Sequence, residues 1–167
     1  FDIATVCQET VLVRDAAKRS GYPEFATPAT IADALVGAGF DVVASATNHV
    51  NDRGSSAIRE TLDYWAQEHP RVGIAGLHDD ASDAVVPVFV ESGDFRLAYF
   101  NLTYGLNGHS LPEDEKYLVD TLEDKDAMLR EIAAAQGEVD LTVVILHMGQ
   151  EYSSTSTQEQ RQMVEEA

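Results

Sequence analysis

Three features of the chain predict an α/β fold with a mostly parallel sheet. Short β-branched apolar runs alternate with helical stretches, and one pair of apolar runs is joined by Ser92-Gly93-Asp94, a hairpin signal. No internal repeat or low-complexity linker divides the sequence. Its 167 residues suit one domain, and the 44% hydrophobic content supplies a core.

The first run, Asp2-Ile3-Ala4-Thr5-Val6-Cys7, reads as a buried strand. Thr27-Pro28 then opens a helix to about Ala38: Thr caps, Pro suits the first helical position, and Gly39 stops it. Residues 40–46 form a second buried strand, and a loop over 47–54 leads into a helix over about 55–67. That helix carries Ile58, Leu62 and Trp65 on one face. A third short strand covers 72–76. The runs 84–91 and 95–101 form the hairpin, and a loop rich in Gly, Asn and Pro spans 103–115. A helix from about Leu122 to Gln136 ends at Gly137. The most apolar strand follows over 139–146, and the tail is helical from Gln158.

The charge narrows the partners. With 29 acidic and 11 basic side chains the formal net charge is −18, so phosphate backbones and anionic lipid surfaces are repelled. Nucleic acid is therefore not an expected partner. A single cysteine, Cys7, excludes an internal disulfide framework and a multi-Cys zinc site. Inside a buried strand its thiol is expected to behave as a small hydrophobe. No run approaches the ~20 apolar residues of a membrane span. No stretch has the layout of a signal peptide. The chain opens at Phe1 and ends inside a helical stretch, as a piece cut from a longer protein would.

In open α/β sheets, ligands gather beyond the carboxyl ends of strands. Three polar clusters fall there, all expected at one edge: Gln8-Glu9-Thr10, Thr47-Asn48-His49 and His147-Met148-Gly149-Gln150-Glu151. Imidazole and carboxylate are ligands that Mn, Zn and Fe accept, and an Asn carbonyl suits harder cations. Other polar residues have plainer readings. His69 and His78 sit in polar loop contexts and are expected to be exposed. Asp79, Asp80 and Asp83 lack the spacing of a calcium loop and read as a solvated turn. His109, near Tyr104 and Asn107, is more simply a loop residue than a substrate contact. Trp65 and Tyr64 read as core and rim respectively. No Gly-rich phosphate loop or Gly-x-Ser-x-Gly turn is present, which speaks against a serine hydrolase.

The order of the motifs is more specific than any one of them. Gly39-Phe40-Asp41-Val42-Val43 through Asn48-His49, then Asp52-Arg53-Gly54 and Thr61-Leu62, form one part of the set. Tyr22-Pro23-Glu24-Phe25 with Thr27-Pro28, Thr103 to Gly108, and His147 to Tyr152 followed by Gln158 complete it. Together they resemble the CapA family of bacterial capsule and poly-γ-glutamate synthesis proteins, over nearly the whole chain. That family is similar to calcineurin-like metallophosphoesterases, so the resemblance implies a metallophosphatase-like, layered sheet-and-helix fold. It also implies that the 167 residues are one such domain, truncated at both ends.

The resemblance implies roles for particular residues. Glu9, Asn48 and His147 would be metal ligands and His49 the general acid or transition-state donor. Glu151, Tyr104 and Asn107 would contact substrate. Cys7-Gln8-Glu9 departs from the family's Asn-Leu-Glu but keeps the carboxylate. A Gly-Asp strand end and a His-x-His pair would lie before Phe1 and after Ala167. A divalent metal (Mn, Zn or Fe) is therefore expected in the complete domain, and weak or absent binding in these residues alone. Two functions follow: a metal-dependent phosphoesterase-like hydrolase, or a non-catalytic polymer-binding or assembly component. Poly-γ-glutamate or the capsule-synthesis machinery is the implied partner. The implied location is the outer cell surface, with membrane contact only through a segment outside this chain.

Overall fold

Side chains alternate across a strand, so each strand here sorts its apolar residues onto two faces that must both be covered. A computed structural model describes residues 2–83, 85–150 and 152–166. In chain order the elements are β1 (Thr5–Cys7), β2 (Leu12–Val13), β3 (Thr27–Pro28), α1 (Thr30–Gly37), β4 (Val42–Ala44), α2 (Ser55–Glu68), β5 (Gly73–Ala75), β6 (Val88–Ser92), β7 (Phe95–Thr103), α3 (Lys125–Ala135), β8 (Leu141–His147) and α4 (Gln158–Glu166). The long strands form two sheets. One is parallel, in the order β1-β4-β5. The other has the order β6-β7-β8, with an antiparallel hairpin β6-β7 and a parallel pair β7-β8.

The sheets pack face to face. Val42 and Ala75 of the first meet Tyr99, Val143 and Ile145 of the second. The alternate residues point outward. Val43 packs with Ala32, Tyr64 and Trp65 of α1 and α2. On the other side Ala98, Phe100, Leu102, Val144 and Leu146 pack on Met128 and Ile132 of α3. The result is four layers, helix, sheet, sheet, helix, as expected of a metallophosphatase-like domain. The close approach of the sheets has a requirement at Gly73, where a Cβ would lie 2.4 Å from Val88 Cγ1.

A buried amide ties the layers together. Asn101, 1% exposed on β7, accepts a hydrogen bond from the Ala46 N–H (2.7 Å) just beyond β4. Its Nδ2 donates to the Ala46 carbonyl (3.3 Å) and to Ile145 O on β8 (3.1 Å). Gly76 turns against this contact at φ +84, and a Cβ there would lie 2.5 Å from the Asn101 carbonyl.

Several expectations need correction. The single mostly parallel sheet is two sheets, because the hairpin places β7 and β8 opposite β4 and β5. The first strand is shorter than residues 2–7 and is an edge strand, with Cys7 exposed. Thr27 and Pro28 do not open a helix. They pair in parallel with Leu12 and Val13, and α1 begins at Thr30 behind Ala29, which makes no side-chain cap. The Thr27 hydroxyl is bonded instead to that of Thr10. The hairpin's first strand begins at Val88, and Ala84 lies outside the described residues.

Asn101→Leu keeps the volume but strands the N–H and C=O of Ala46. It is expected to lower unfolding stability by about 2–4 kcal/mol, read from urea denaturation, with native far-ultraviolet dichroism retained.

Candidate functional site

Beyond the carboxyl end of β4 the chain runs through a polar loop that is nonetheless buried: Thr47 is 0%, Asn51 4% and Asp52 6% exposed. Its backbone is closed by successive turn bonds, Val50 N to Thr47 O, Asp52 N to His49 O and Gly54 N to Asn51 O. Val50 anchors it in a core cluster with Val11, Ile58 and Val119. Thr47 donates its hydroxyl to the carbonyl of Glu9 (2.6 Å), which holds the loop after β1 against it. Gln8 steadies that loop from the other side through Nε2 to the Thr10 carbonyl (2.9 Å).

The second sheet contributes the facing residues. His147 is the last residue of β8, and its carbonyl accepts from Tyr104 N (2.9 Å), so the loop after β7 leaves beside it. Asn107 on that loop has φ +52, a left-handed conformation that Asn tolerates.

These loops meet in a line of hydrogen bonds. His147 Nε2 donates to Asn48 Oδ1 (2.9 Å), and Asn48 Nδ2 donates to Asn107 Oδ1 (2.9 Å). The Asn107 Nδ2 lies 3.1 and 3.4 Å from the two ring nitrogens of His49. Asp52 closes the line, with Oδ2 2.8 Å from His49 Nδ1 and 2.8 Å from Phe25 N. Because a carboxylate only accepts, Nδ1 of His49 carries a hydrogen, so the Asn107 amide donates to Nε2 (3.4 Å), the nitrogen that can transfer a proton once that bond opens. The Phe25 ring meets His49 edge-on at 4.8 Å. Glu9 Oε1 stands 3.7 Å from His147 Nε2.

Burial holds the His147 imidazole below its usual range, and His49 adds to this, while Glu9 works against both. His147 is therefore neutral at pH 7, the form that can ligate a metal. Desolvation of its sulfur and the nearby Glu9 carboxylate push the thiol of Cys7 up, which favours its protonated form.

The family model described as bacterial capsule synthesis protein PGA_cap matches residues 1–167. The chain belongs to that family. No curated protein matches it.

In this capsule-synthesis protein, Glu9, Asn48, His49, Asn107 and His147 come together, drawn from both sheets. Tyr104 lies nearly parallel to the His147 ring, with centroids 6.4 Å apart, and walls the groove beside Glu9 and Asn48. Glu151 lies outside the described residues. The role of Asp52 escaped sequence reading, although Asp52 three residues after His49 was a usable signal, since that spacing lets a turn return the carboxylate to the ring. Asn101 gave no such signal. His109 is exposed, 4.0 Å from Glu24 and away from the line of hydrogen bonds.

Two expectations about histidines are overturned. His78 is buried, with Nε2 2.8 Å from Asp120 Oδ1 and its N–H bonded to the Leu118 carbonyl, because the loop after β5 is clamped by the segment leading to α3. His69 is partly buried at the end of α2, where it bonds Asp33 (2.7 Å) beside Tyr64 and Trp65. Tyr64 also is buried rather than at the rim.

The lowered His147 value sets a sign. Above the usual His pKa of about 6.5 neither folded nor unfolded chain holds this proton, and as pH falls below it the unfolded chain gains the proton first. Urea midpoints measured in chelator are expected to fall from pH 7.5 to pH 5.5, less steeply in His147→Asn than in the natural protein.

Proposed function

We propose that the groove at Glu9, Asn48 and His147 is a metal-assisted phosphoester hydrolase site serving capsule polymer synthesis at the outer cell surface. Poly-γ-glutamate or its assembly machinery would be the partner. The observation that carries this reading is the polar line from Asp52 to His49 Nδ1, from His49 Nε2 to the Asn107 amide, and on through Asn48 to His147. Such a line would couple an imidazole suited to proton transfer, His49, to the candidate ligand cluster that borders the groove.

The donors fit a divalent ion in kind. Among the described residues no group of three His, Cys, Asp or Glu side chains could hold a metal ion. The convergence is one imidazole, one carboxylate and one amide oxygen, with His147 Nε2 2.9 Å from Asn48 Oδ1 and 3.7 Å from Glu9 Oε1. Glu9, Asn48 and His147 would hold an ion of the Mn, Zn or Fe type, the hydrogen of His147 then residing on Nδ1, and the ion would supply Lewis-acid polarisation of a phosphoryl oxygen and a more acidic water. Protonated on both nitrogens, with Asp52 and the Phe25 ring fixing the ring, His49 would give the proton on Nε2 to the departing oxygen. Asn107 would hold Asn48 and His49 at a constant separation, and Tyr104 would flank the bound ester.

The short donor set favours a second reading, in which a cation bridges the groove to polymer carboxylates without turnover. Chelator would then weaken polyglutamate binding, and no phosphoester would be cleaved.

The test uses the full-length protein with bis(4-nitrophenyl) phosphate and 4-nitrophenyl phosphate. Plasma mass spectrometry is expected to find a transition metal that His147→Ala loses. His49→Ala is expected to keep the metal and lose about 10²–10⁴-fold in turnover. Turnover left unchanged by both substitutions refutes the site.

Asp52→Asn removes the acceptor that orients His49. It is expected to lower kcat by about 10–100-fold with the metal content unchanged.

A further inference from the structure

A second concavity lies on the far side of Tyr104 from the groove at His147. It encloses about 470 Å³ between the loop after β7 and the segment leading to α3, a size suited to a small organic ligand. Its floor is apolar: Leu106, Leu111, Tyr117 and Val119 belong to or pack against one core cluster. Its polar side is acidic, made by Asp120, Glu123 and Asp124.

Asp120 is 4% exposed, and its Oδ1 is held by His78 Nε2 (2.8 Å) and Val85 N (3.0 Å), so one carboxylate is locked in the wall. Asp124 is likewise fixed, through Oδ2 to the N–H (2.9 Å) and hydroxyl (3.0 Å) of Thr121. Lys116 and His109 also line the cavity, but Lys116 is bonded to Glu113 at 2.8 Å and His109 lies 4.0 Å from Glu24. Carboxylates set in a low-dielectric concave wall focus a negative potential.

We propose that this cavity binds an organic ammonium group carried on a flat or branched apolar body. The apolar part occupies the floor of Leu106, Leu111 and Val119, and the ammonium faces Asp120, Glu123 and Asp124. A carboxylate-bearing ligand of the same shape is repelled. Because Tyr104 borders both concavities, a ligand here can extend to His147 and Asn48. If the phosphoesterase reading holds, this makes the substrate a phosphoester of an amine-bearing alcohol. Binding in the cavity itself does not depend on that reading.

Three probes of one shape test the proposal by amide chemical shifts in the full chain, with no metal and no turnover required: 2-phenylethylammonium, 2-phenylethanol and 3-phenylpropanoate. The ammonium is expected to shift the amides of residues 104–111 and 117–124 and the carboxylate to leave them unmoved. Glu123→Gln, an exposed position, is expected to weaken the ammonium by about two- to fivefold. Ser110→Trp at the rim is expected to block it. Equal shifts from all three probes overturn the cationic assignment, and no shift from any probe overturns the cavity as a site. Neither result bears on hydrolysis at His147, which is read separately by turnover.

Discussion

The fold depends on one side-chain amide. Two sheets meeting through Val42, Ala75, Tyr99 and Ile145 are held by non-directional apolar contact, which does not fix how far one sheet slides along the other. Asn101 supplies the missing direction. It matches both the donor and the acceptor of Ala46 and adds a bond to Ile145, so three strands from two sheets share one register point. Buried at 1% exposure, these bonds compete with no solvent, and breaking them leaves backbone groups unpaired. Gly76 shows how tight the arrangement is, since a methyl there would strike both Ala46 and Asn101.

The candidate site is downstream of that register. Ala46 is two residues before Asn48, and Ile145 is two residues before His147, so the amide that joins the sheets also sets the distance between their two site residues. Val50 and the turn bonds carry the constraint on to His49 and Asp52. The side chains are thus presented by backbone already fixed from beneath, which is how a scaffold holds a polar constellation to the accuracy chemistry needs.

In a chain this acidic, proximity of histidine to carboxylate is not a mark of function. All five histidines have a carboxylate within 4.0 Å: His49 with Asp52, His69 with Asp33, His78 with Asp120, His109 with Glu24 and His147 with Glu9. His69 pins the end of a helix and His78 clamps a loop. His49 and His147 differ because Asn48 and Asn107 join them in one line of hydrogen bonds between the two sheets.

The sequence by itself determined what depends on short-range pattern. Short apolar runs located β4, β5, β7 and β8, one-face periodicity located α2, a glycine stop bounded α3, and Ser92-Gly93-Asp94 located the hairpin. Polar residues at strand ends located Glu9, Asn48, His49 and His147, and the ordered motifs pointed to the family. Only the tertiary structure decided that the strands of three or more residues divide between two facing sheets, since a parallel strand reads the same in either. Thr27-Pro28 looked like a helix start because capping chemistry is local, but pairing with Leu12 and Val13 outweighed it. Asn101 and Asp120 carried no sequence signal, because a polar residue inside an apolar run earns its role only from partners 55 and 42 positions away. Burial of Asp52, and its bonds to His49 and Phe25, likewise came from packing around Val50. Contacts across such distances are set by how the layers close, and no local pattern encodes them.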